Sequence, residues 1–178
     1  MPGSILQRLK NSPLAAFLQD QRLPELFRHR EFRLSEAFLR RELQAMAADE
    51  EVGPLQLFIH DGRIEVRGVV KKRLLPPIPF GVTLRLAGVE FNAMAKRLHL
   101  AVEEVKPLDV DWITGRLVAR VPFLSHGAGR ITIDLERVPR LHLPLTCRIK
   151  GVRVADFFTI KELRLKPGEV VGRLGVTL

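Results

Sequence analysis

Ser125-His126-Gly127-Ala128-Gly129 places a hydroxyl nucleophile beside a base, the first stretch of the chain in which acyl or phosphoryl chemistry could be sought. A hydrolase elbow needs G-x-S-x-G and a phosphate loop needs a GK[ST] ending, and the stretch has neither. Two glycines around a small residue make a tight turn, so a hairpin loop is expected. Of the five histidines, none has a second histidine at i+4, and the single Cys147 belongs to no CxxC, so no zinc ligand set is in view. His99 and His142 fall on polar faces of expected strands, where a histidine is solvated. Adjacent Glu103 and Glu104 would face opposite sides of a strand, which excludes a carboxylate dyad. Asp109 and Asp111 are read as a solvated loop before Trp112, itself read as a core aromatic. With no nucleophile, base and orienting group together, the chain is not expected to be an enzyme, and no metal or cofactor is expected.

The bulk composition bounds the remaining classes. One cysteine in 178 residues permits no internal disulfide, so Cys147 is read as a small buried hydrophobe in a reducing compartment. Hydrophobic content of 46% excludes general disorder. A domain of this size buries about 70% of its unfolded surface. No apolar run approaches the ~20 residues of a membrane span, and Arg8, Lys10 and Asn11 interrupt the stretch a signal peptide would need. A cytoplasmic location, free or peripheral on a membrane, is therefore expected. Residues 1–50 hold 8 Lys or Arg against 7 Asp or Glu, and residues 51–178 hold 21 against 13, so the net +9 lies almost wholly in the second part. Such a field favours nucleic acid or an acidic membrane surface. An isoelectric point near 10.6 suits the first. Against it, the chain has no Tyr and one Trp, and its Phe residues stand mostly in apolar stretches rather than among the cations.

The elements that must position these residues divide the chain in two. The first fifty residues read as helix. Ile5, Leu6 and Leu9 begin an apolar stripe, Ser12-Pro13 looks like a cap followed by proline at the first helical position, and Pro24 opens a short turn through about Arg30. Ser35 caps the best helix, "SEAFLRRELQAMAADE", whose apolar face is Phe38, Leu39, Leu43, Met46 and Ala47, with Glu36 in its first turn. After Gly53-Pro54 the periodicity changes to two. "LQLFIH" and "RIEVRGVV" flank Asp61-Gly62, a strong hairpin signal. "LLPPIPF" reads as a corner, and "VTLRLAGVEF" changes phase at Ala87-Gly88 as a β-bulge would. "RLHLAVEEVKPL", "GRLVARVPF", "GRITIDL", "LHLPLTCRIK", "IKELRLK" and "EVVGRLGVTL" complete about eight or nine strands with no helix-length gaps, hence an antiparallel meander.

In these strands the polar face is basic, as with Arg63, Arg67, Arg85, Arg148 and Arg164, and the other face is aliphatic. In "LHLPLTCRIK" the apolar set is Leu141, Leu143, Leu145, Cys147 and Ile149. One helix, about 10 Å across, covers two or three strands at ~4.8 Å spacing. Either the sheet rolls over its own core or part of its apolar face is left for another molecule.

The order "LSEAFLRREL", "GPLQLFIHDGRIEVRGVV", "IPFGVTLRLAGVEFNAMAKRLHLAVEEVKP" resembles the LmeA-like (DUF2993) phospholipid-binding proteins of the TULIP-like superfamily. The resemblance covers about residues 33–178 and leaves 1–32 as a helical extension. It implies an α+β fold in which a long, strongly curved antiparallel sheet wraps an amphipathic helix and holds acyl chains between them. It carries over no catalytic residue. The implied ligand-binding positions are Phe38, Leu39, Leu43 and Met46 of the helix, facing Leu84, Leu86, Leu100, Leu143 and Leu145 of the sheet. The expected partners are a phospholipid or fatty-acyl ligand and an anionic membrane. Nucleic-acid binding through the basic face, or a structural oligomerisation domain, is the alternative.

Overall fold

Sequence spacing alone leaves open how many layers the strands form. A computed structural model describes residues 28–46, 51–73, 75–107, 118–119, 121–146 and 148–176. The helices expected before residue 28, Met46's side chain, Ala47, Asp109, Asp111, Trp112 and Cys147 lie outside what it describes. The described residues form an α+β fold dominated by antiparallel sheet. β1 (Glu31–Ser35) leads directly into α1 (Glu36–Met46). β2 (Gln56–His60), β3 (Arg63–Lys72), β4 (Leu75–Phe91), β5 (Lys96–Lys106), β6 (Leu124–Gly127) and β7 (Arg130–Asp134) follow. After α2 (Pro139–Thr146) come β8 (Arg148–Ile149), β9 (Val152–Arg153), a 3-10 turn over Val154–Phe157, β10 (Phe158–Lys166) and β11 (Glu169–Val176). The large sheet is open, with order β2-β3-β4-β5-β7-β6, and a small sheet has order β1-β11-β10.

Several local signals place their elements. Ser35 Oγ accepts the Phe38 N–H at 3.2 Å and so caps α1. Asp61-Gly62 joins β2 to β3, with His60 opposite Arg63. The register between β4 and β5 slips between Leu86 and Gly88, which puts a bulge at Ala87. Ala128-Gly129 turns β6 into β7 as the hairpin loop expected from "SHGAG".

Four expectations are corrected. Residues 141–146 of "LHLPLTCRIK" are helical, in α2, and only Arg148–Ile149 pairs as a strand. Pro139 at the first helical position pre-sets the helical φ, and Pro144 has no N–H for a central ladder. The period-2 spacing of Leu141, Leu143 and Leu145 is therefore not a sheet face. Second, Glu31–Ser35 is a strand rather than helix, paired to β11 with Phe32 opposite Gly172. The Phe32 ring covers that glycine so closely that a Cβ there would come within 2.1 Å of it. The expected 32/33 boundary thus falls inside β1. Third, "LLPPIPF" is not a corner but the start of the 17-residue β4. Among the described residues β5 pairs with β4 only from Gly81 onward, so the prolines occupy a stretch with no described partner on that side, where a missing N–H breaks none of the described ladder. Fourth, in "GRLVARVPF" Val118 is π-helical and residues 121–123 form a turn before β6.

The inner face of the large sheet carries Leu57, Ile59, Ile64, Val82, Leu84, Leu100 and Ile131, which share one core with Leu165 and Val170 of the small sheet. Leu39 and Leu43 of α1 pack on it. The two sheets are tied by backbone: Gly62 N donates to Leu165 O at 3.1 Å and Gly168 N to Ile59 O at 3.0 Å. The polar stripe of α1 closes the free edge of β2. Arg40 Nη2 donates to Leu57 O at 3.0 Å, Gln44 Nε2 donates to Leu55 O at 3.3 Å, and Glu36 Oε2 accepts the Ile59 N–H at 2.8 Å. Spacing of i, i+4, i+8 on one helix face thus matches alternate residues of a strand and satisfies an edge that would otherwise seek another chain.

Candidate functional site

The residues expected to hold an acyl chain separate into groups. Leu84 and Leu100 are buried inside the core, while Leu39, Leu43 and Leu86 are partly buried against it. Phe38 is partly buried, with the Arg41 guanidinium 5.5 Å from its ring centroid. Leu143 and Leu145 belong to α2, and Leu145 is partly buried there. Leu39 and Leu43 therefore meet the sheet positions in one apolar layer, and the α2 positions are not part of the sheet.

That layer is unevenly covered. Where β2, β3 and the middle of β4 face the small sheet and α1, Leu57, Ile59, Ile64, Val82 and Leu84 are buried and Val66 is partly exposed among them. Across β5, β7 and β6 only Leu100 and Ile131 of the apolar side chains are buried: Leu98, Val102, Val105, Leu124 and Ile133 stay partly exposed beside Leu86. Leu98, Ile133 and Leu124 lie in one row, since Leu98 pairs with Ile133 and Ile133 with Leu124. The inner face thus continues, equally aliphatic, beyond the elements that bury it.

The outer face is ion-paired. Glu103 takes both Arg63 and Arg85 at 3.1 Å, and Arg67 Nε donates to Glu65 at 2.6 Å. That hydrogen bond lowers the Glu65 carboxyl below its ordinary range. Arg40 and Arg67 stand 5.2 and 5.0 Å from the Phe58 ring centroid. The register between β4 and β5 also slips at Glu103, so this bulge turns Glu103 to the same face as Glu104, contrary to the alternation expected of them. They still form no dyad, because Glu104 pairs with Lys106 instead.

Sequence reasoning missed one cluster. Lys96, at the start of β5, is 1% exposed. Its Nζ donates to Asp156 Oδ1 at 2.9 Å and to Asn92 O at 3.0 Å, and Glu136 Oε1 is 3.4 Å away. Arg153 completes the cluster by donating to Asp156 Oδ2, to Glu136 Oε1 and to Ala93 O at 3.0, 3.0 and 2.8 Å. The Lys96 hydrogen bond, reinforced by Arg153, holds the Asp156 carboxyl below its ordinary range. Two hydrogen bonds and an ion pair make this lysine a tie between turns. It locks the β4–β5 turn, the turn after β7 and the 3-10 turn into one end of the molecule. The signal lay in the alternation of β5, where Lys96 shares a side with Leu98 and Leu100.

At that same end large apolar side chains face outward: Met94 is 96% exposed in the β4–β5 turn, Phe157 49%, and Val152 and Phe158 are exposed too. Arg97, Arg148 and Lys150 are exposed around them. His142, expected on a strand, is exposed on α2, with its Nδ1 2.9 Å from Glu136 O. Among the described residues no group of His, Cys, Asp and Glu is placed to hold a metal ion. Nor is any described helix long and apolar enough to cross a membrane. No family model, no curated protein and no solved structure matches the chain, so what it does is read from its own side chains.

Proposed function

We propose that the protein binds a phospholipid or other acyl-chain ligand without catalysis, laying the chain along the partly covered half of the inner sheet face. The observation that carries this reading is the aliphatic row Leu98–Ile133–Leu124 with Leu86, which stays partly exposed at one end of a face whose other end is mostly buried. Burial contributes about 0.8 kcal/mol per CH₂, so half-burying a sixteen-carbon chain gains roughly 6 kcal/mol before ordering costs. That is enough for a reversible guest. In this reading the bulged sheet carries the ligand beyond the half that α1 and the small sheet cover, and the basic exterior draws the protein to anionic membranes, from which lipid is taken or to which it is passed. The pairing of Arg63 and Arg85 with Glu103 weighs against the rival reading of the outer face as a nucleic-acid surface.

Native mass spectrometry of the purified protein, followed by solvent extraction, tests this. A stoichiometric lipid, lost in Leu98→Gln, is the expected result. Bare protein that also fails to take up added phosphatidylglycerol or palmitate overturns it. If such protein is a stable dimer that Leu98→Gln dissociates, the accessible row is a subunit interface instead.

A further inference from the structure

The outer face holds a feature that the inner-face reading does not use. Gln56, Arg67, Gly81 and Lys106 are register partners in one row across β2, β3, β4 and β5. Two cations therefore flank a residue with no side chain. The next row carries Val69 opposite Pro79, and with Pro54 these make apolar walls. The result is an open cleft of about 450 Å³, floored by Gly81 and by the Gly68–Phe80 backbone. That volume is in the range of small-molecule sites.

Gly81 is the telling residue. Gly68, one step along β3, has a packing reason to be glycine: a Cβ there would come within 2.5 Å of Leu55 Cδ2 and 2.7 Å of Phe80 Cζ. At Gly81 a Cβ would meet nothing within 4 Å, and its φ is not in the left-handed region. A glycine within a strand weakens it and marks a bulge, a bend or a place where something else approaches the backbone, and the β4–β5 register does not slip at Gly81. The cations are suited to receive that visitor. Among the described residues the Arg67 guanidinium hydrogen-bonds only through Nε, to Glu65, while it stands 5.0 Å from the Phe58 ring centroid. Its Nη groups remain for an anion, in the forked geometry that suits an oxyanion. Lys106 pairs with Glu104 and is largely exposed. Both acids lie in the adjoining row, on the side away from Val69 and Pro79.

We propose that this cleft binds a small amphipathic oxyanion, a phosphate monoester or carboxylate on a short apolar body. The anionic group sits over Gly81 between Arg67 and Lys106, and the body lies against Val69 and Pro79. This goes beyond the acyl-chain reading and does not depend on it.

Calorimetric titration with hexyl phosphate tests it, with inorganic phosphate and hexanol as controls lacking the body and the charge. Wild-type protein should bind hexyl phosphate at least tenfold more tightly than either control. Gly81→Val fills the floor and should lower the affinity tenfold or more while leaving Tm unchanged or raised. Arg67→Gln with Lys106→Gln should abolish binding, and Leu98→Gln on the inner face should leave it intact. No wild-type binding, equal binding of phosphate alone, or full affinity in Gly81→Val each overturns the assignment. A fall in Tm for Gly81→Val overturns it also, by showing that the glycine serves the bend of β4. Loss of binding in Leu98→Gln with retention in Gly81→Val would place the ligand on the inner face and thus separate the two readings.

Discussion

Lys96 shows how one buried charge organises an end of a β-rich protein. An ammonium removed from water is tolerated only where acceptors replace the water, and here Asn92 O, Asp156 and Glu136 do so. The depressed Asp156 carboxyl makes this tie pH-dependent. Its proton is held less tightly in the folded protein than in the unfolded chain, so the ionised form favours folding. That contribution is fully present above the ordinary carboxylate value of about 4 and is lost as pH falls through the lower folded value. Asp156→Asn should therefore lower Tm at pH 7, with a gap to wild type that narrows toward pH 2. Thermal melts of both proteins across that range check it, and a gap of constant size would show that charge is not what Asp156 supplies. Lys96→Met should lower Tm at pH 7 less than Asp156→Asn does. Removing the lysine leaves Arg153 with both acids, whereas removing an acid strips a fully buried cation of its closest anion.

Among the elements, α1 has two duties: Leu39 and Leu43 pack on the core, and Glu36, Arg40 and Gln44 close the edge of β2. Arg40→Leu leaves Leu57 O without its donor. At a partly exposed position this should cost about 1 kcal/mol in urea denaturation. It should also expose β2 to pairing with another chain, which light scattering would detect as concentration-dependent association; unchanged stability and a monomeric protein would show that α1 does not guard the edge. The cap at Ser35, the Asp61-Gly62 hairpin and the bulge at Ala87 were legible in the sequence because each is decided within a few residues. The edge closure was not, since Arg40 and Leu57 are 17 positions apart and the helix wheel shows only that Arg40 is off the apolar face. The Lys96–Asp156 contact spans 60 positions, so the alternation of β5 places Lys96 on the apolar side but does not name its partner. "LHLPLTCRIK" misled for the opposite reason. Its alternation is real, but Pro139 and Pro144 outweigh it, because a proline decides local φ and removes a ladder donor whatever its neighbours spell. Of the proposed ligand positions, Leu84, Leu86 and Leu100 were legible as one face, whereas the uneven cover over that face depends on where the small sheet packs.

At the scale of the whole molecule, most of the exposed large apolar side chains gather at one end, with Leu75 apart from them at the start of β4. Met94 and Phe157 stand on the turns that Lys96 and Arg153 tie together, Val152 and Phe158 on the adjoining β9 and β10, and Arg97, Arg148 and Lys150 close to them in sequence are exposed. A rigid tip of this composition offers an anionic bilayer both charge and insertion. Each nearby Lys or Arg contributes about 1 kcal/mol at an acidic surface, and each large apolar side chain that enters the interface adds about 1.5–3 kcal/mol. The net +9 provides long-range attraction, and the tip decides orientation. Vesicles containing about one-third phosphatidylserine should therefore bind the protein, neutral phosphatidylcholine vesicles should bind it far less, and binding should weaken as salt rises. Met94→Ser with Phe157→Ser should reduce vesicle binding at least tenfold at fixed salt, because net charge is unchanged and only insertion is lost. Co-sedimentation of wild type and double variant at several salt concentrations separates the two contributions. Equal binding of both proteins would mean that the basic surface alone holds the membrane and that the apolar tip serves a different contact.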